Sequence, residues 1–509
     1  MINVQSKANP LDDTIIERYA AIDLGSNSFH CLVMEKTPEK QYPIYSSKHR
    51  VRLISGINTN GNLAPQALER AMNALQQFAI DLQPLGPIQL RIVGTKALRQ
   101  ATNIERLLEK TKSLFGQHID VIDGREEARL IFQGVSKSFK EGSQNLVIDI
   151  GGGSTEFIVG LGQKALFLDS LPLGCLSSYE MYFGDQKLDS ETYEQAKMEA
   201  SLATYSLRSA LKSHPWQQAI GCSGCFESLL TVQKTLIPSE QNLTAFGIQL
   251  MEQKLLSSQT LDDWSLPELD KDRKCLLPAS LAIVSAIFEV FNIDKLSVSN
   301  ADLKDGIISD LQDKKELNFQ REQAVLQLMH SYQADHAQSQ RMLLTVNDIW
   351  SQISQFVSLR DPENFLIVSW AALLFEIGRS ISSHDQQKHG AYLIQNQRIT
   401  GFTQTQQQFL AQLILAQQGQ IPENSADRLP EFIRQDFWLL LRILRLARII
   451  RSNRENRQPA IIHYRLHQNQ FQLEIQCSFH GDFTLMMADL KREIAWQKKA
   501  GLILSLQQI

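Results

Sequence analysis

The apolar positions of this chain follow two rhythms. Period-two alternation, the mark of strands, runs through 42–53, 88–94 and 119–122, and returns near the end at 460–464 and 471–477. Helical spacing of apolar residues covers 64–82, 278–291, nearly all of 317–455, and 485–498. Strands alternating with helices in the first three hundred or so positions predict an α/β layered architecture. The charged run Asp313-Lys314-Lys315-Glu316 marks a boundary before the helical region. The predicted order is a tail 1–17, two lobes at 18–135 and 136–313, a helical domain at 314–457 and a small α+β domain at 458–509. The glutamine runs, such as Gln406-Gln407-Gln408, fall within helical periodicity and read as solvated helix faces.

Within the α/β region a single pattern occurs twice at a constant offset. The first copy is Ile22-Asp23-Leu24-Gly25-Ser26-Asn27-Ser28-Phe29-His30-Cys31-Leu32-Val33. The second is Ile148-Asp149-Ile150-Gly151-Gly152-Gly153-Ser154-Thr155-Glu156-Phe157-Ile158-Val159. Each reads as strand, Asp, small-residue turn, strand, which predicts a β-hairpin with a Gly/Ser tip. Glycine lets such a tip approach a ligand closely, and its N–H groups can form an anion-binding nest. Ser26, Asn27, Ser28, Gly151, Gly152, Gly153, Ser154 and Thr155 are therefore phosphate-binding candidates. Asp23 and Asp149, just before each tip, are placed to hold a divalent cation, Mg²⁺, against a phosphate. A turn-forming role for these Asp side chains is the plain alternative. Two matched copies predict two related lobes with their hairpins facing across a cleft.

Composition narrows the class. At 509 residues the chain is too long for one ordinary core. Hydrophobic content of 43% and charged content of 21% are those of a globular protein. Net charge is −4, from 51 basic and 55 acidic residues, so any polyanion groove must be a local patch. Six cysteines without a dense framework fit a reducing cytoplasm, and no apolar targeting segment or membrane span is expected. The densest positive segment is Arg442, Arg445, Arg448, Arg451, Arg454 and Arg457. It reads either as the lining of a groove for a long polyanion or as a solvated helix end. No aromatic residues are interleaved to stack bases, so nucleic acid is not expected as a partner.

The paired hairpins resemble those of the actin, sugar-kinase and heat-shock-chaperone ATPase superfamily. Taken with Glu126-Glu127-Ala128-Arg129, they resemble more narrowly the exopolyphosphatase / guanosine pentaphosphate phosphohydrolase family, over most of the chain. The resemblance implies two actin-like (ribonuclease H-like) lobes, an all-α HD-like domain and a small C-terminal α+β domain. It also implies Glu127 as the base that activates water. Without it, Glu127 is a first-turn acid at a helix N-terminus, and Glu126 a helix-start residue three positions after Asp123. Arg99 is a phosphate-clamp candidate, because guanidinium binds phosphate oxygens bidentately; a plain surface arginine is the alternative. Glu156 is either a further partner of the metal or an exposed strand acid.

Three positions depart from the family pattern. Cys225 stands where the family has Thr in Ser-Gly-Thr, and reads as part of an ordinary Gly turn without a redox role. Lys304 replaces the Arg of Leu-Arg-Glu-Gly. Phe375 and Glu376 stand where an HD centre has His and Asp, and a Phe cannot ligate a metal, so no second metal site is expected despite His384 and His389. The resemblance favours an exopolyphosphatase releasing terminal phosphate from inorganic polyphosphate, as a homodimer. Its sister activity, hydrolysis of guanosine pentaphosphate, is the nearest rival. An ATP-driven kinase or chaperone, and an inert polyphosphate- or alarmone-binding protein, are more distant alternatives.

Overall fold

A computed structural model describes residues 16–184, 188–258, 266, 269–397, 399–422, 424–455, 460–467, 470–477 and 483–508. The expected N-terminal tail lies almost wholly outside the described residues, and Arg457 lies outside them too. The chain divides into two compact units, Met1–Lys314 and Lys315–Ile509.

The first unit holds two sheets of the same plan. The first is built from β1 (Glu17–Leu24), β2 (Ser28–Lys36), β3 (Gln41–Arg50), β4 (Gln89–Gly94) and β5 (Ile119–Val121), in the order β3-β2-β1-β4-β5. The second is built from β6 (Gln144–Ile150), β7 (Thr155–Leu161), β8 (Lys164–Leu171), β9 (Gln218–Cys222), β10 (Leu243–Thr244) and β11 (Lys295–Ser299), in the order β10-β11-β9-β6-β7-β8. In each, the first strand pairs antiparallel with the second and parallel with the fourth. The period-two pattern is weak in β1 and β6 because both of their faces are covered, and four to six consecutive residues are buried.

The helix that follows each sheet packs on the other sheet. Gly124–Val135 lies against β7 and β8, while Leu303–Gln312 lies against β1 and β4. One apolar cluster therefore mixes the two lobes: Ala21, Leu32 and Val93 meet Leu130, Ile131, Ile158 and Ile307. The expected division at 135/136 assigns Gly124–Val135 to the first lobe; the structure gives its buried face to the second, because that face completes the second sheet's core.

These two helices cross at glycine. A Cβ on Gly306 would stand 1.8 Å from the Leu130 carbonyl oxygen, and one on Gly134 would stand 2.6 Å from the Asp302 carbonyl oxygen. The crossing is fastened by buried charge. Arg129 donates from Nε to Glu126 Oε2 and from Nη2 to Glu126 Oε1, both at 2.8 Å, and from Nη1 to Asp310 Oδ1 at 3.2 Å. Arg91 on β4 reaches Asp310 Oδ2 at 2.9 Å. Glu126 is thus more than a helix-start residue; it is half of a buried ion pair. Asp123 caps this helix, accepting from the N–H groups of Arg125 and Glu126.

One helix, Lys271–Phe291, is long and apolar enough to cross a membrane by length and composition. Its run from Leu277 to Phe288 is buried in the second lobe's core, which accounts for that composition.

The second unit is helical from Lys314–Ser331 to Glu431–Ile450, followed by a sheet of β12 (Ala460–His467), β13 (Gln470–Cys477) and β14 (Ile503–Gln508), with the helix Phe483–Lys499 before β14. Ile462, Tyr464, Phe471, Met486 and Leu504 share one apolar cluster with the helical portion, so the two have a common core. The arginine series serves that core. Arg442, Arg445 and Arg451 are buried, and Arg445 forks Glu493 at 2.7 Å from Nε and Nη2. Arg442 donates to Gln497 at 3.1 Å and lies over the Phe471 ring. Those three arginines line neither a polyanion groove nor a solvated helix end. The glutamine run is not simply solvated either: Gln406 closes a capping box with Thr403, and Gln407 donates to the Ile394 carbonyl at 2.6 Å. Glu376 takes Arg379 and Arg454.

Replacing Gly306 with Ala forces the two crossing helices apart. The expected cost is about 1–3 kcal/mol or more, from overpacking against backbone that cannot turn away; the midpoint of urea unfolding measures it.

Candidate active site

The two hairpins predicted from the repeat meet tip to tip. A Cβ on Gly152 would stand 3.0 Å from Asn27 Cβ, and one on Gly153 would stand 3.3 Å from Ser26 Oγ, tighter than ordinary Cβ contacts, so glycine eases this approach. Both tips are held from behind. Val51 and Arg52 donate backbone N–H to the Asn27 carbonyl, and Ile54 to that of Ser26. Cys175 donates to the Gly151 carbonyl, and Leu176 and Ser177 to that of Gly152. With the carbonyls tied back, the donors left for a ligand are tip N–H groups and the hydroxyls of Ser26, Ser28 and Ser154. Ser28 Oγ is buried without a protein partner.

A cleft opens at the tips, lined by Gly25, Ser26, Asn27, Ser28, Gly151, Gly152, Gly153 and Ser154, with Asp23, Glu127, Asp149 and Glu156. The register explains the convergence. Asp23 pairs with His30 across the first hairpin, and Asp149 pairs with Glu156 across the second. Asp302, the cap of the helix Leu303–Gln312, joins them. Burial, then Asp302 and Glu127, push Asp23 and Asp149 well above the usual carboxylate range. Burial, then Glu127 and Asp149, do the same to Glu156. Burial, and next Lys48, lower His30 to about 3, so this imidazole is neutral.

Glu127 differs from these. Burial raises it, but Arg99 lies 3.3 Å from its Oε2 and draws it back down. The net direction is upward, and a buried cleft carboxylate with a guanidinium partner is a candidate for proton transfer. The side chain lines the cleft from the first turn of its helix, while its neighbour Glu126 turns away to Arg129.

Two expected phosphate contacts are placed otherwise. Thr155 is fully buried and its hydroxyl donates to the Leu173 carbonyl, so it braces the turn behind the tip. Arg99 is not among the described residues lining the cleft; its Nη1 donates to the Ile122 carbonyl and to Glu127. Glu156 is buried and accepts from Ser170 Oγ at 2.8 Å, which removes the exposed-acid alternative.

Several lining residues were not foreseen as members of the site: Asp302, His30, Lys48, Arg50, Arg273 and Ser223. Ser223 has φ +107, a strained backbone for a residue with a side chain, at the turn after β9. Asp302 had a readable signal, because it and Asp123 cap the helices that follow β11 and β5, which hold equivalent places in the two sheets. Lys96 on the first lobe donates to the Gly153 carbonyl at 2.5 Å, holding the second tip.

Comparison with known proteins agrees with this architecture. The Ppx/GppA phosphatase family matches residues 32–315, and the domain III of the same family matches residues 320–494. This chain belongs to the Ppx/GppA phosphatase family. A guanosine-5'-triphosphate,3'-diphosphate pyrophosphatase of Photobacterium profundum is 30% identical to it over 495 residues, covering 96% of this chain and 98% of that one. An exopolyphosphatase structure from Cytophaga hutchinsonii shares the fold at TM-score 0.54 and 24% identity, over 58% of this chain and 98% of that one. A family member from Aquifex aeolicus does so at TM-score 0.51 and 24% identity, over 59% and 99%. The two lobes are accordingly actin-like.

For this Ppx/GppA phosphatase, the Arg99–Glu127 pair makes a prediction about pH. Arg99 lowers the Glu127 carboxyl, so Arg99→Gln removes a stabiliser of its charged form and raises its pKa. The acidic limb of the phosphate-release profile, which reports the base losing its proton, moves to higher pH. Initial rates across a pH series measure the displacement.

Proposed function

We propose that this protein is an exopolyphosphatase that hydrolyses the terminal phosphoanhydride of inorganic polyphosphate. The observation that carries this reading is the make-up of the cleft: glycine and serine tips, a carboxylate floor, and Lys48, Arg50 and Arg273 toward its opening. His30 is the only ring among the described lining residues, so the walls suit a chain of phosphates better than a nucleobase. The end of the chain lies between the tips, bound by N–H and hydroxyl donors. Glu127 takes a proton from the attacking water, and Arg99 holds the carboxylate in its charged form.

Asp23 Oδ1 and Asp149 Oδ1 are buried and have no hydrogen-bond partner in the protein. Two such oxygens fit Mg²⁺, which is held by one or two carboxylates together with substrate phosphates. Asp149 and Asp23 would hold it, with Glu156 behind Asp149. When bound it supplies charge neutralisation for the phosphate oxygens. The protein's own share is to exclude water through buried walls, to orient the phosphate at the tips, and to accept the proton at Glu127.

Hydrolysis of guanosine pentaphosphate is the second reading. The Photobacterium relative, alike over 96% of this chain, favours it. Both reactions use the same terminal phosphate chemistry. A cytoplasmic homodimer is the expected setting for either.

Phosphate release from long-chain polyphosphate and from guanosine pentaphosphate, measured side by side with Mg²⁺, tests the two. Faster release from polyphosphate is expected; preference for the nucleotide moves the protein to the sister activity. Glu127→Gln is expected to lower the rate by about 10²–10⁴-fold, and a variant as active as the parent refutes Glu127 as base. Chelation of divalent cations stops release, and Asp149→Asn raises the Mg²⁺ concentration needed to restore it, read from a Mg²⁺ titration of the rate.

A further inference from the structure

The mouth of the cleft carries charges that the chemistry at its floor does not use. On the first lobe, Lys48 and Arg50 lie on alternate positions of β3 and both line the cleft. Arg52 follows two residues further on, with its backbone in the left-handed region at φ +48. Facing them on the second lobe is the N-terminus of the helix Lys271–Phe291. Asp270 caps it, accepting from the N–H groups of Asp272 and Arg273 at 3.1 and 2.9 Å.

The two sides are joined by ion pairs. Arg50 Nη2 donates to Asp270 Oδ2 at 2.6 Å, and Arg50 Nη1 to Asp272 Oδ2. Arg52 Nη2 donates to Asp272 Oδ1 at 3.0 Å. All four side chains are 36–49% exposed, so water screens these pairs and each is weak. A polyanion presents several charges in a row and forks guanidinium bidentately, so it outcompetes single exposed carboxylates. The surroundings favour that exchange. Burial, and next Arg273, lower Lys48.

We propose that Asp270 and Asp272 are built-in competitors for the distal phosphates of the substrate. In the free enzyme they hold Arg50 and Arg52 across the cleft mouth; an incoming phosphate chain displaces them and takes the same guanidinium groups. Orthophosphate, bound at the tips, has no second phosphate to make the exchange, so the mouth distinguishes chain from product. This rests on the phosphoanhydride reading of the cleft.

The test is calorimetric titration with inorganic polyphosphate of defined medium length, without divalent cation so that no hydrolysis occurs. The variants are Asp270→Asn/Asp272→Asn, Arg50→Gln/Arg52→Gln, and the four together. Asn at 270 retains a good helix cap, and a melting curve for each variant checks the fold. The Asn pair is expected to bind polyphosphate about five-fold more tightly, the scale of one or two exposed ion pairs. In the Arg50→Gln/Arg52→Gln background the same Asn pair is expected to change nothing, because no guanidinium remains for the carboxylates to withhold. Orthophosphate binding is expected to be the same in all variants.

Equal tightening in both backgrounds would mean a general loss of negative charge and would overturn the competition. So would unchanged affinity in the Asn pair. Guanosine pentaphosphate is titrated alongside. If it alone binds, the competition is judged on it and only the polyphosphate reading falls. If neither ligand binds the parent or any variant, the phosphoanhydride reading falls and takes the competition with it.

Discussion

The site depends on one crossing of two helices. Gly124–Val135 and Leu303–Gln312 touch backbone to backbone at Gly134 and Gly306, and the Arg129 guanidinium between Glu126 and Asp310 fixes their register. Each helix carries a cleft carboxylate at its start, Glu127 on one and Asp302 on the other. The crossing therefore sets how far apart those two groups stand. A buried ion network of this kind is a poor source of net stability, since desolvating the charges offsets their attraction. Its effect is geometric: Arg129 and Arg91 both need Asp310, so a shift of one helix along the other would strand a buried charge. Because each helix packs on the opposite lobe's sheet, the same contact ties the two hairpins to one frame.

The duplicated plan explains the shape of the site and where its symmetry breaks. Strand order and the hairpin register are the same in both lobes, so Asp23 and Asp149 occupy equivalent positions. Their cross-strand partners differ. Asp23 faces a neutral His30, and Asp149 faces Glu156, so negative charge is concentrated on the second lobe's side. The mouth repeats that asymmetry. There Lys48, Arg50 and Arg52 come from the first lobe, and Asp270 and Asp272 from the second. An anionic chain thus meets cationic groups on the first lobe's wall and carboxylates beside Arg273 on the second's.

The repeat made the heart of the site legible from sequence. Two Asp-plus-glycine turns at a constant offset were enough to expect facing hairpins, and local turn chemistry dictates both. What lay beyond reach was long-range. The exchange of helices between lobes leaves no local trace, because a helix face covered by its own sheet and one covered by its neighbour's have the same apolar spacing. Thr155 has the hydroxyl of a phosphate ligand, yet the turn behind it has a carbonyl at Leu173 that needs a donor. Arg445 looked like surface charge, since nothing near it in sequence announces Glu493, 48 positions away, as its buried partner. Asp302 is the instructive miss: extending the repeat from the hairpins to the helix caps after β5 and β11 would have found it as the counterpart of Asp123.

The electrostatics of the floor separate the roles of its carboxylates. Burial first, and then neighbouring carboxylates (Asp302 and Glu127 for Asp23 and Asp149, Glu127 and Asp149 for Glu156), raise Asp23, Asp149 and Glu156, so without a cation their charged forms are disfavoured. Glu127 shares the burial and is the only one of the four whose side chain has a guanidinium within ion-pair distance among the described contacts. The same neighbours that make Asp23 and Asp149 poor carboxylates alone make them good ligands, because a divalent cation relieves their mutual repulsion along with their unmet hydrogen bonding. Arg99 relieves only Glu127. In the proposed reading one group exchanges a proton while the others hold a metal, and that division rests on the arginine that the sequence suggested for the phosphate.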